Sequence, residues 1–142
     1  VFRVSAAAPP LPVPDGSVDV VLAYSVFTHL PEAGFHTWLA ELARILEPGG
    51  TLLFTILSDY AMAALAPTFP RSAHVAWRER GIYDSAGNRQ LETIGVGEDA
   101  YRNTWVKRAF VAAALDGAGL RVETIESPFH FYQDLVVARR PG

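Results

Sequence analysis

Residues 18–24 read VDVVLAY and residues 51–56 read TLLFTI, with Pro31-Glu32, the series Phe35, Trp38, Leu39, Leu42, Ile45, and Pro48-Gly49-Gly50 between them. The two apolar runs have the composition of strands covered on both faces, as in parallel sheets. Pro31 suits the first position of a helix and Glu32 the positive end of its dipole. The five apolar residues then recur at helical spacing and make one buried face. Pro48 cannot continue a helix, and Gly49 accepts a left-handed cap, so the helix is expected to stop there. Strand, helix and strand in this order predict a right-handed βαβ unit, with residues 18–24 and 51–56 as adjacent parallel strands and the helix over residues 32–46 on one face.

Outward from this unit the readings are looser. Residues 1–4 resemble the end of a strand. Residues 5–17 carry Pro9-Pro10, Pro12, Pro14 and Gly16 and are irregular. Residues 57–102 are polar and irregular, with helix potential at 61–65 and 74–80 and a turn signal at 84–87. Residues 103–116 read as a helix with Val106, Phe110, Val111 and Ala114 inward, ended by Gly117 and Gly119. Residues 120–126 and 132–138 read as two strands joined through Ser127-Pro128, an antiparallel hairpin.

The chain has 142 residues, half of them hydrophobic, a formal net charge of −3 and no cysteine. This is one domain's worth of chain, able to bury a core. An acidic balance argues against a nucleic-acid surface. Without cysteine there is no disulfide scaffold, thiolate zinc site or cysteine nucleophile. No apolar run has the length to cross a bilayer and no signal peptide opens the chain, so no membrane contact and a cytoplasmic location are the expectation. His and carboxylates lack metal-ligand spacing, and no G-x-S-x-G elbow occurs, so neither a metal site nor a hydrolase triad is expected.

Ordered motifs carry more than any single piece. Leu11-Pro12-Val13, Asp15-Gly16-Ser17-Val18-Asp19, Ser25-Val26-Phe27-Thr28-His29-Leu30 and Arg44-Ile45-Leu46-Glu47-Pro48-Gly49-Gly50 follow one another around the two strands. In this order they resemble the second half of a class I S-adenosylmethionine-dependent methyltransferase domain of the type 11 kind. Val13 and Val18 stand where the family usually has Phe. The resemblance implies an α/β, Rossmann-like methyltransferase fold, a mostly parallel sheet ending in an antiparallel hairpin. It implies methyl transfer from S-adenosylmethionine to a small-molecule acceptor, by in-line attack of a substrate heteroatom.

Domains of this family begin with a strand, a glycine-rich turn, a helix and a second strand ending in an acid that binds the ribose. None of these elements is found upstream of Val1, and Val1 is not Met. Residues 1–142 are therefore expected to be a single partial domain with its first two strands missing, a fragment inactive alone, with residues 58–101 an insertion and candidate substrate lid. Gly95-Val96-Gly97 mimics a cofactor loop moved by permutation, but no third glycine follows and such a lone match is weak. An unpaired sheet edge invites self-association. Two rival readings remain: a degenerate, non-catalytic module that packs on a partner, and a fragment of a nucleotide-binding dehydrogenase, which the closing hairpin disfavours.

Ligands of parallel α/β sheets sit beyond the carboxyl ends of the strands. By resemblance, Ser5 and Ala6 fall near the adenine, and Tyr24, Ser25 and Val26 near the methionine part of the cofactor. His29 follows a strand end and precedes a helix, where a general base for an oxygen acceptor is found. A hydrogen bond to backbone at the helix start is the alternative. Trp77 and Tyr101 of the insertion, and His130 and Tyr132 of the hairpin, are the candidate substrate contacts. Asp15, Asp19 and Arg44 are read as turn, strand-start and helix-dipole residues.

Overall fold

A computed structural model describes residues 4–6, 8–85 and 102–142. Its elements in chain order are β1 (Val18–Ala23), α1 (Glu32–Ile45), β2 (Leu46–Leu57), α2 (Asp59–Leu65), a 3-10 turn (Ala66–Thr68), α3 (Arg71–Arg80), β3 (Ile82–Asp84), β4 (Thr104–Val106), α4 (Arg108–Gly117), β5 (Arg121–His130) and β6 (Gln133–Arg139). They form an α/β fold with one open sheet. β2 lies at its centre, parallel to β1 and β4 and antiparallel to β6. β5 pairs antiparallel with β6 and so runs in the direction of β2. The expected parallel pair and closing hairpin are both present.

Alternation along the strands explains the layers. Leu52, Phe54 and Ile56 of β2, with Val136 and Ala138 of β6, are fully buried against α1 and α4. Phe27, in the turn after β1, fills the gap between helix and sheet, its ring 4.9 Å from Phe35 and 4.7 Å from Phe54. Val20 and Leu22 point to the opposite face and are 57% and 68% exposed. One face of the sheet thus carries the core, while the other is open at β1.

The loop before β1 is held by α1. Arg44 donates to the carbonyls of Val13 and Leu11, at 3.0 and 3.3 Å, and pairs with Glu41 at 2.7 Å and with Asp15. The Leu11 amide donates to Glu41 Oε1 at 2.6 Å. This is the physical content of the spacing between Leu11-Pro12 and Arg44: a buried carboxylate and a fork-shaped cation fasten a proline-rich loop that has no ladder of its own.

Several expectations change. α1 ends at Ile45, and Leu46 already has extended backbone, so Pro48-Gly49-Gly50 lies within β2 rather than capping the helix. Glu47 precedes proline, which disfavours helical backbone there. Gly50 is needed for close approach, since a Cβ would stand 2.9 Å from the Glu47 carbonyl and 3.1 Å from that of Asp19. Residues 103–116 are not one helix. Thr104-Trp105-Val106 form a buried strand, β-branched and aromatic, and the helix starts at Arg108. β5 continues through Ser127-Pro128 to His130, so the hairpin turn is tighter than expected. Val4 is in no strand and almost fully exposed, and residues 1–3 lie outside the described residues.

The insertion departs most. In its described part, residues 58–85, α2, the 3-10 turn, α3 and β3 make it as regular as the rest. It has its own core: Ala61, Met62 and Trp105 are buried, with Phe69, Trp77 and Tyr83 against them. It starts at the carboxyl end of β2, as expected, and returns through β3 and β4 to pair with Leu57.

Candidate functional site

β1, β2 and β5 end at the same edge of the sheet, where the β5–β6 turn also lies. Ser25, directly beyond β1, has φ +54. A serine there is strained backbone, held by its surroundings. Its amide donates to Thr55 Oγ1 at 2.8 Å, and its hydroxyl meets the Gln133 amide, whose Nε2 donates at 2.7 Å. Two neighbouring strands therefore fix the turn after β1.

Beside that turn lies a groove of about 360 Å³ lined by Ser5, Leu22, Val26 and Trp38, among others. Ser5 and Val26, both expected near the cofactor, share this groove, and Ala6 is exposed next to Ser5. Tyr24 stands apart, its ring 5.9 Å from that of His130. The cofactor-side residues thus divide between an apolar groove at the edge of β1, bounded by Trp38 and Leu42 of α1, and the mouth of the hairpin.

His29 is wedged rather than free. Its Nδ1 donates to the Arg102 carbonyl at 2.9 Å, and its own carbonyl accepts from the Arg102 amide at 2.9 Å. Burial lowers its pKa below 6.5, opposed by the Arg102 carbonyl and the Asn103 side chain. A neutral ring with Nδ1 occupied ties the turn before α1 to the chain entering β4.

The structure gathers Tyr132 and His130 at the hairpin but places Trp77 elsewhere, in the small core of the insertion. Tyr101 and the Gly95-Val96-Gly97 segment lie outside the described residues. Sequence reading passed over Ser58 and Asp134, both fully buried at this edge. The Ser58 hydroxyl donates to Asp134 Oδ2, and Arg108 Nη2 donates to the same oxygen at 2.9 Å. Asp134 Oδ1 is buried without a hydrogen-bond partner among the described residues. The only signal was a carboxylate opening the apolar run DLVVA, at a position whose burial depends on pairing with Ile56. Among the described residues no group of three His, Asp or Glu could hold a metal ion, and no helix is long and apolar enough to cross a membrane.

Comparison with known proteins agrees with this architecture. Residues 2–54 match the family model described as methyltransferase domain. A S-adenosylmethionine-dependent methyltransferase from Methanosarcina mazei is 17% identical with a TM-score of 0.63, the match covering 99% of this chain and 66% of that one. A methyltransferase from Haloferax volcanii, solved with an activator protein, is 22% identical at 0.60, covering 99% and 62%. The 1,6-didemethyltoxoflavin-N1-methyltransferase of Burkholderia thailandensis, solved with bound 1,6-didemethyltoxoflavin and S-adenosylhomocysteine, is 11% identical at 0.57, covering 90% and 46%. The chain spans less than two thirds of the length of each of these structures. Residues 2–54 thus resemble a methyltransferase domain, and the chain takes the fold of the S-adenosylmethionine-dependent methyltransferases.

Proposed function

We propose that the protein serves S-adenosylmethionine-dependent methyl transfer to a small-molecule acceptor, with these residues forming one side of the cofactor site and the acceptor mouth. The strained Ser25 turn beside the Ser5–Val26 groove, at the carboxyl edge of the parallel strands, carries this reading. The cofactor, when bound, supplies a methyl group on a sulfonium centre. The groove is apolar enough to take a flat base or a thioether chain, and the exposed Ser5 offers it a hydroxyl. Ser25, pinned by Thr55 and Gln133, presents a rigid wall, so the contribution of these residues is alignment and exclusion of water. His29 acts through position: its bond to Arg102 holds the turn that carries Val26.

In this fold a glycine-rich strand-turn-helix and an acid on the next strand hold the dinucleotide or ribose part of a cofactor, and residues 1–142 do not include them ahead of the matched unit. Loss of ~4 kcal/mol turns a micromolar site into a millimolar one. Titrating S-adenosylhomocysteine into the 142-residue chain, followed by amide NMR, tests the reading. Weak binding with shifts at Ser5, Ala6, Ser25 and Val26 is expected. No shift at these residues at ~10 mM ligand, several times the expected dissociation constant, sinks the cofactor assignment. Micromolar binding with shifts at Gly95 and Gly97 would instead favour a permuted loop.

The open side of β1, with Val20 and Leu22 exposed, also supports self-association through that edge.

A further inference from the structure

The outer surface of α1 and α4 differs from that of an ordinary exposed helix, whose solvent face is charged. The exposed residues of α1 are Ala33, His36, Thr37 and Ala40, with no Lys, Arg, Asp or Glu among them. Between its ends α4 exposes only Ala109, Ala112 and Ala113. The two helices make one surface. Phe110 of α4 closes on His36 of α1 with ring centroids 5.5 Å apart, and both helices line a groove of about 280 Å³ there.

Charge returns only at the two ends of α4, and in reverse order. Arg108 opens the helix and Asp116 stands in its last turn. The helix dipole favours an acid first and a cation last. Arg108 has a reason within the chain, its 2.9 Å pair with Asp134, yet its side chain stays 43% exposed. Asp116 is exposed, set against the dipole, and makes no ion pair among the described residues. Nothing within the described chain accounts for its charge.

A second copy of the helix does. Arg108, Ala112 and Asp116 recur every four residues and form one row on α4. About its midpoint the row is antisymmetric: cation, methyl, carboxylate. Two copies of α4 laid antiparallel across a twofold axis at Ala112 bring Arg108 of each copy to Asp116 of the other. A parallel arrangement would set like charges together. Alanine at the crossing lets the backbones approach to about 8 Å, the short end of helix packing distances. We infer that the α4 face, flanked by α1, is the contact between two copies of this chain in an antiparallel twofold pair. The face is about 20 Å on a side, roughly half of the ~800 Å² per partner of a standard interface, so the pair is reversible.

This contact is independent of the methyl-transfer reading. It is also distinct from the β1 edge, since Val20 and Leu22 lie on the sheet face opposite to α1 and α4. With both contacts present, copies join in open chains; without the β1 edge they stop at two.

The chain has no cysteine, so a single introduced thiol reports a single contact. In the Leu22→Lys background, Ala112→Cys at the axis should form a disulfide-linked dimer about tenfold faster than Thr124→Cys, an exposed control on β5, because pairing makes the thiol encounter intramolecular. Adding Asp116→Lys should bring the Ala112→Cys variant down to the control rate. Adding Arg108→Glu as well should restore it, since the row keeps its antisymmetry with the signs exchanged. If Arg108→Glu, which also loses the Asp134 pair, does not fold, salt replaces it: at about 1 M, where the Debye length is about 3 Å, Ala112→Cys should slow and Thr124→Cys should not. Equal rates for Ala112→Cys and Thr124→Cys, no effect of Asp116→Lys, or a folded charge-exchanged variant that stays slow overturns the pair. So does a Leu22→Lys protein that light scattering finds monomeric at about 1 mM, which would leave all association to the β1 edge.

Discussion

Burial holds the His29 imidazole below its ordinary pKa of 6.5, against the Arg102 carbonyl and the Asn103 side chain, which favour the charged ring. The linkage to stability has one sign. As pH falls through 6.5 the unfolded chain takes up a proton that the folded chain still refuses, so acid favours unfolding in the window just below 6.5 and has no such effect above it. The urea midpoint of the protein should therefore decline as pH falls from 6.5, and His29→Gln should flatten that decline. An unchanged slope in the variant would remove the burial assigned to this ring. Glu41 acts in a lower window. Its hydrogen bond with Arg44 keeps its carboxyl below the usual 4.5, so its stabilisation is present above that value and is lost as pH falls through the lowered one. The loop from Leu11 to Asp15 should loosen with it, visible as faster hydrogen exchange at the Leu11 amide.

At the level of elements, β2 carries most of the fold, and its first turn is its most demanding part. Gly49 has φ +84, and Gly50 stands against two carbonyl oxygens. Gly49→Ala should cost about 1–2 kcal/mol, from left-handed backbone alone, since open space surrounds it. Gly50→Ala should cost about 1–3 kcal/mol through overpacking of backbone against backbone, which cannot move aside. Chemical denaturation checks both, and a neutral Gly50→Ala would show that β1 and the start of β2 approach less closely. Further along the strand, Phe54 is fully buried with Phe27 and Phe35 about it. Phe54→Ala should cost about 3–5 kcal/mol and leave a cavity between α1 and the sheet.

For the whole molecule, the decisive asymmetry lies between the two faces of the sheet. α1 and α4 cover one face, while Val20 and Leu22 on the other are exposed beside the edge of β1. Light scattering should show mass rising with concentration in the 142-residue chain. Leu22→Lys, a charge on an edge strand, should suppress it without changing the circular dichroism spectrum. A monomer at all concentrations would mean that this edge is not sticky. The insertion tells against a simple lid at the same scale. Its described part is packed around Trp105, whose ring lies 5.7 Å from that of Tyr83 with nearly parallel planes, so closure over a ligand would have to come from the Tyr60 end.

The βαβ unit, its parallel pairing and the helix face of Phe35, Leu39 and Leu42 were legible because period and length are local properties: an apolar run of strand length and an amphipathic run of helix length leave few packings open. The place of Ser25 and Val26 just beyond β1 was legible for the same reason, since the unit sets the direction of that strand. The strand at Trp105 was not, because three residues beside a helix acquire strand structure only by pairing with Tyr83 and Leu57, far away in sequence. Nor was the Ser58–Asp134–Arg108 tie, whose members are 76 and 26 residues apart and become partners only when β6 pairs with β2. Local sequence dictates which segments are strands and helices; only the assembled sheet decides which polar groups are buried together, because burial is a property of the neighbours and not of the residue.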